Sequence, residues 1–353
     1  MINFLKNYRS QSLFIAKKID FSYRFQAQDN FIYYVNENDM LGKAMYNLSS
    51  ILEYPIHLLI KKIIKEYWVC VEIGANYGNI ALEMALNIGK KGFVYAYEPG
   101  STFSYLDINC KINAFNKIIK TRKKIISNTL GEGNMLSLNT VSSSHSEIVA
   151  YQEEINNINN IECSFYNFAS LHTTFKKKQN TVSFFMYDIL LYNFFCSLGL
   201  IYEYKLDITT LDDELQDTKK VNFVRFDVEG YECKVLKGAY QIINKNSDII
   251  LSFEWQPSLI KSQEKQNNNE KLQNCLNVFL NLGFVKFSCL QGDNYTIGTA
   301  IFKTTEHIEL PLIQVSINDI YNDNFINEFE CFTKKGYYQY ISENVNEDNI
   351  STN

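Results

Sequence analysis

With 353 residues, 46% of them hydrophobic, the chain can bury a full core as one decorated domain or two smaller ones. A formal net charge of −5 leaves no basic stripe of the kind a phosphate backbone demands, which excludes nucleic acid as the main partner. Eight cysteines stand singly, without a Cys-x-x-Cys pair or a His at ligand spacing, so reduced thiols are expected and a structural zinc is not.

Residues 1–66 read as lead-in elements. Lys6, Arg9, Lys17 and Lys18 interrupt the short apolar runs before Asp20, so no secretory leader is expected and the location is read as cytoplasmic. Phe31 to Val35 predicts a strand, and Ile56 to Lys65 has apolar residues at helical spacing with lysines on the other face. From Trp68 to Ile73 a near-continuous apolar run predicts a strand buried on both faces of a parallel sheet. Gly74 to Gly78 then forms a turn. Ile80, Ala81, Met84, Ala85 and Ile88 make the next helix amphipathic, with Gly89 as its C-terminal cap. The unit repeats in the strand Phe93 to Glu98, the turn at Pro99-Gly100 and the helix Thr102 to Asn113, before a third strand between Ile118 and Ile126.

Between the two halves, 151–205 lacks this rhythm and reads as an insertion. It opens on an Asn-rich stretch and contains the apolar run Val182 to Tyr202, long enough to approach a membrane span. Asp188 and Asn193 fall within that run, and an acidic group deep in a bilayer helix costs about 2.5 to 3.5 kcal/mol. The run is therefore expected to cover the substrate mouth, meet a second copy in a homo-oligomer, or face a lipid-linked acceptor. The rhythm resumes with the strand Val221 to Asp227, the helix Glu232 to Asn244 and the strand Asp248 to Glu254. A polar loop, Gln263 to Glu270, follows. Phe284 to Leu290 and Tyr295 to Lys303, too close together for a parallel crossover, predict an antiparallel hairpin. The expected domain is 67–305, an α/β fold with a mainly parallel, doubly wound sheet ending in that hairpin; 306–353 is a C-terminal extension with a disordered tail.

Three clusters carry chemistry. In Glu72-Ile-Gly74-Ala-Asn76-Tyr-Gly78 the glycines allow a tight turn and leave no side chain between the loop and a ligand over the helix N-terminus. Asn76 stands where the dinucleotide fingerprint has a glycine, so a nicotinamide dinucleotide finds a poorer cradle here. Glu98 ends the next strand, about the interval at which a carboxylate reaches ribose hydroxyls. Asp227-Val-Glu229-Gly230 closes a later strand, and with Glu254 it can bring three carboxylates to one crevice. Such crowding suits a general base, although Glu229 also suits the N-terminal dipole of a helix.

In order and wording, VCVEIGANYGNIALEMA (69–85), VYAYEPG (94–100), IISNTLGEG (125–133), TTLDDEL (209–215) and VRFDVEGYECKVLKGA (224–239) resemble the FkbM family of methyltransferases. The likeness covers roughly Asn30 to Lys303. It implies a class I methyltransferase fold, S-adenosylmethionine as methyl donor and O-methylation of a hydroxyl on a sugar, glycan or other small metabolite. Carried over residue by residue, it makes Glu72, Gly74, Asn76 and Gly78 the loop around the methionine portion and Glu98 the ribose ligand. Ser127 and Asn128 fall beside the adenine site. Asp227 and Glu229 lie on the family's D-V-E-G motif. From its place directly after the strand, Asp227 is the candidate for general base or acceptor-orienting residue, with Glu229 and Glu254 as weaker partners. Glu72 stands where the family usually has Asp, and 151–205 is longer and more apolar than usual. No metal ligand is assigned. The alternatives are a nicotinamide oxidoreductase and a non-catalytic binding or scaffold protein that keeps the pocket.

Overall fold

The computed structural model describes residues 22–27, 31–36, 39–48, 53–138, 147–151, 201–255, 274, 277–284, 286–290, 312–316 and 329–334. In chain order the elements are β1 (Ser22–Gln26), β2 (Ile32–Asn36), α1 (Met40–Leu48), α2 (Tyr54–Ile63), β3 (Val69–Ile73), α3 (Asn79–Ile88), β4 (Phe93–Tyr97) and α4 (Phe103–Ile112). There follow β5 (Ile119–Arg122), β6 (Ile125–Ile126), β7 (Gly131–Leu138), β8 (Glu147–Tyr151), β9 (Ile201–Thr209), α5 (Leu211–Glu214) and β10 (Phe223–Phe226). The last are α6 (Glu232–Gly238), α7 (Tyr240–Lys245), β11 (Ile250–Trp255), β12 (Lys286–Leu290), β13 (Leu312–Ser316) and β14 (Phe329–Lys334).

The main sheet runs β13-β12-β14-β11-β10-β3-β4-β5. Its five strands from β11 to β5 are parallel, as the buried runs and intervening helices predict. Phe223, Val224 and Phe226 of β10, with Cys70, Val71 and Ile73 of β3, are buried on both faces between the helix layers. At the other end the sheet turns antiparallel, because β14 inserts between β11 and β12, and β13 pairs with β12 at the edge. Of the expected hairpin, β12 is present from Lys286. Tyr295 to Lys303 lies outside the described residues, and the antiparallel partners seen are β13 and β14, from the stretch 306–353.

The third strand divides. β5 stays in the main sheet, whereas β6 joins β9, β7 and β8 in a second, four-stranded sheet. Lys124 lies at the exit and pairs with Glu214 of α5 at 2.7 Å, which holds the chain as it leaves the main sheet. β8 and β9 flank the insertion. Residues 152–200, with most of the apolar run, lie outside the described residues, as do 256–273 with the polar loop. No helix among the described residues is long and apolar enough to cross a membrane.

The helix expected over Glu232 to Asn244 is two helices, broken at Ala239. Its second half has a borrowed cap: the Asp212 carboxylate of α5 accepts the Gln241 and Ile242 backbone N–H groups at 2.9 and 2.8 Å. Cys70 and Cys110 are free and buried; Cys233 is disulfide-bonded, against the expectation of a wholly reduced set.

The lead-in is fastened to the domain by two asparagines one helical turn apart, Asn109 on α4 and Asn113 at its C-terminal cap. Asn109 exchanges hydrogen bonds with the backbone of Tyr34 (2.7 and 3.1 Å), and Asn113 does so with Ile32 (2.9 and 2.7 Å). Four helix residues rise about 6 Å and two strand residues about 6.6 Å, so the amides stand in register with the free edge of β2. Each amide supplies both a donor and an acceptor, as a neighbouring strand would.

Candidate cofactor and active site

Strand register alone aligns the predicted residues. Ile73 is level with Tyr97 on one side and Phe226 on the other, and Phe226 is level with Phe253. Glu98, Gly74, Asp227 and Glu254, each one residue further on, therefore form a row across four adjacent strands, about 4.8 Å from one to the next. The row lies at the carboxyl ends of the parallel strands, where ligands of open α/β sheets bind.

Around Gly74 the loop takes left-handed backbone at three of five positions, with φ of 84° at Gly74, 47° at Asn76 and 85° at Gly78. A Cβ on Gly74 would stand 1.9 Å from the carbonyl oxygen of Asp227, and one on Gly78 would stand 2.6 Å from Leu106 Cδ1. Only glycine fits at either place. Both oxygens of Glu98 face this loop and the next: Oε2 accepts the Asn76 N–H at 2.8 Å and Oε1 the Gly100 N–H at 2.6 Å. Burial raises the Glu98 pKa, while these backbone bonds act to lower it.

On the other side of Gly74, the backbone turns sharply after Asp227, with φ of 52° at Glu229 and 96° at Gly230. One oxygen each from Asp227, Glu229 and Glu254 comes within 4.8 Å of the others, as the sequence predicts. Glu229 stands outside α6, which begins at Glu232; it is Glu232 that turns back to accept the Gly230 N–H, at 3.1 Å.

Arg225 and Glu53 were not singled out from sequence. Arg225 lies level with Glu72 in β3 and shares a sheet face with Asp227; its side chain is 2% exposed. Its Nη2 donates to Glu53 Oε1 at 2.9 Å and Asp227 Oδ2 at 3.2 Å, and Nη1 is 3.7 Å from Glu72 Oε1. Glu53 reaches it from the residue before α2, in a left-handed conformation, with no capping bond from its side chain. Glu72 is buried, its Oε2 has no hydrogen-bond partner among the described residues, and desolvation raises its pKa well above the usual range against the pull of Arg225. The one available signal was an arginine in an otherwise apolar strand, since a buried guanidinium requires carboxylates.

Ser127 and Asn128 follow β6 rather than the end of β5. Ser127 is buried and donates its N–H to Thr209 O at 2.8 Å, and Asn128 is exposed beside it. Gly238 of α6 comes so close that a Cβ there would stand 1.9 Å from Ser127 O.

Glu232 is fully buried, and desolvation pushes its pKa up to about 7. A carboxyl whose folded pKa exceeds its unfolded value adds stability in full below about pH 4.5 and loses it as pH rises through about 7. Glu232→Gln cannot ionise. It should match the parent near pH 4.5 and exceed it at pH 8, by up to about 3 kcal/mol in urea unfolding. A difference that does not change with pH would contradict this assignment.

A parallel core with helices on both faces, an antiparallel strand set into its far end, and a glycine turn facing an acidic strand end define a class I methyltransferase. The methyltransferase FkbM domain matches residues 72–286, and the chain belongs to this family of S-adenosylmethionine-dependent methyltransferases. No curated protein matches it in sequence. Among solved structures it is similar to an S-adenosylmethionine-dependent O-methyltransferase of Thermotoga maritima (10% identity, 89% of this chain and 77% of that one, TM-score 0.38). It is also similar to precorrin-6y C5,15-methyltransferase of Geobacter metallireducens GS-15 (10%, 79% and 85%, TM-score 0.35) and an O-methyltransferase of Bacillus cereus (8%, 80% and 80%, TM-score 0.35). These likenesses are distant; the family rests on the domain match.

Proposed function

We propose that this methyltransferase alkylates a hydroxyl of a sugar, glycan or other small metabolite, with the donor held by the 74–78 loop and Glu98, and Asp227 receiving the hydroxyl proton. S-Adenosylmethionine supplies a methyl group on a sulfonium, already activated for displacement to a neutral thioether. The residues fit that donor in two respects. Gly74 and Gly78, in left-handed backbone against Asp227 and Leu106, keep the turn tight ahead of α3 where only backbone faces a ligand, and Glu98 is fixed by two backbone N–H groups with acceptor capacity to spare for a ribose hydroxyl. Ser127 and Asn128 complete the reading at the adenine end.

The observation that carries the acceptor side is the contact between Asp227 and the donor loop: its carbonyl abuts Gly74, while Arg225 holds its Oδ2. In this reading Oδ1 takes the proton as the new carbon–oxygen bond forms, and Glu229 and Glu254, clustered with Asp227, orient the acceptor.

Glu98→Ala should weaken donor binding by about 1.5 to 3 kcal/mol, roughly 10- to 150-fold, because charge-assisted bonds are lost and the Asn76 N–H loses its acceptor. Calorimetry with S-adenosylhomocysteine reads this directly; equal binding by the variant would remove Glu98 from the site.

The chemistry is tested by incubating the protein with methyl-labelled S-adenosylmethionine and a set of methyl glycosides, in EDTA, with amino sugars in parallel. Label on a glycoside oxygen is the expected result. Label confined to amines would contradict O-methylation, and transfer that requires added Mg²⁺ would assign the three carboxylates to an ion rather than to acceptor and proton.

A further inference from the structure

We propose that Asp39, in the segment ahead of the methyltransferase domain, is a positioning residue for the cofactor: through the Tyr77 hydroxyl it fixes the 74–78 loop in its binding conformation. The proposal rests on the reading of that loop and Glu98 as the donor site.

Tyr77 stands between Asn76 and Gly78, yet its side chain points away from the row of site residues and into the lead-in, where it is 1% exposed. Its hydroxyl donates to Asp39 Oδ2 at 2.8 Å and accepts the Asn36 N–H at 3.3 Å. Its carbonyl accepts from Asn109 Nδ2 at 2.9 Å, and its ring meets Tyr105 edge-on with centroids 5.7 Å apart. The lead-in is shaped to receive it. A Cβ on Gly42 would stand 3.0 Å from the hydroxyl and 2.6 Å from Asn36 O, so the first turn of α1 can approach only as glycine. Burial, and after it the Asp39 carboxylate, push the Tyr77 hydroxyl far above its ordinary range, which keeps it a donor.

The loop needs such anchorage. Asn76 at φ 47° occupies left-handed backbone, which asparagine adopts more readily than other non-glycine residues but still at some cost, so its surroundings must favour it. With Tyr77 pinned on one side, Asn76 presents its N–H to Glu98 Oε2 on the other. Preorganisation of this kind raises affinity by removing the cost of ordering the loop on binding.

Asp39 also caps α1, since the same Oδ2 accepts the Gly42 N–H at 2.8 Å. A cap alone would affect stability and leave affinity untouched. Tyr77→Phe separates the two roles, because it keeps the ring and the cap and removes the hydroxyl, with its bonds to Asp39 and to the Asn36 N–H.

The experiment is calorimetric titration of the full chain with S-adenosylhomocysteine well below its melting temperature, for Tyr77→Phe, Asp39→Ala and Asp39→Asn, each alone and with Glu98→Gln. Tyr77→Phe and Asp39→Ala are expected to bind about tenfold more weakly, and Asp39→Asn, which keeps an acceptor, within about twofold of the parent. In the Glu98→Gln background the Tyr77→Phe penalty should shrink to about twofold, since the two act on the same N–H. Parent-like binding by Tyr77→Phe, or a penalty undiminished beside Glu98→Gln, would overturn the proposal while leaving the donor site intact. Should Glu98→Ala bind as the parent does, the donor-site reading fails and takes the proposal with it.

Discussion

Asp227→Asn is expected to lower turnover by about 10² to 10⁴, and by at least about tenfold, while donor affinity stays within about twofold. A sugar hydroxyl has a pKa far above neutrality, so attack without proton removal leaves a positive charge on the new ether oxygen. A carboxylate in line removes that charge as it develops. Asn is nearly isosteric, and its amide oxygen can still accept from Arg225, so the variant keeps the geometry and loses the base. Undiminished turnover by this variant would leave proximity as the source of rate and remove Asp227 from the chemistry.

The largest effect on stability is expected at Arg225. Replacing it with Met leaves Glu53 and Glu72 without their guanidinium, Glu72 at 1% exposure and Glu53 with its side chain at 14%. Removing one member of a buried ionic cluster costs about 3 to 5 kcal/mol, because the remaining charges stay desolvated. For a domain of this size that corresponds to a fall in Tm of about 10 °C. Glu72→Gln in the same background should restore part of the loss, since it removes a carboxylate whose pKa burial already raises. A melting temperature within about 2 °C of the parent for Arg225→Met would show that the cluster is hydrated.

Features that depend on neighbours in the chain were legible from sequence. The strand, glycine turn and helix from Val69 to Ile88, Glu98 at the next strand end, and the Asp227-Glu229 turn follow from short-range periodicity and the residues that positive φ requires. Even the 4.8 Å cluster of Asp227, Glu229 and Glu254 could be anticipated, because parallel strands in register bring their ends to one level. Long-range pairing was not legible. β14 enters the sheet between β11 and β12 from more than 70 residues beyond β11, and no local pattern fixes that slot. Where Ile118 to Ile126 divides into β5 and β6, Lys124 meets Glu214, 90 residues away, a contact that no local pattern announces. The break at Ala239 depends on Asp212 capping the second helix, an acceptor that sequence places on a different element.

The lead-in shows the same limit within the site. Asp39, Glu53 and Tyr77 have ordinary local readings as a helix cap, a polar residue before a helix and an aromatic in a turn. Their roles emerge only when β2 is laid against α4 and Arg225 is found among its carboxylates. Buried polar side chains require partners, so Arg225 in an apolar strand was the one feature that sequence could have marked.

A crystal structure of the protein with S-adenosylhomocysteine would locate the donor site. The ribose hydroxyls are expected on the Glu98 carboxylate, the amino-acid portion along Gly74 to Gly78, and the thioether sulfur facing Asp227. A nucleoside bound elsewhere, or one in this crevice with its ribose out of hydrogen-bond reach of Glu98, would contradict this placement.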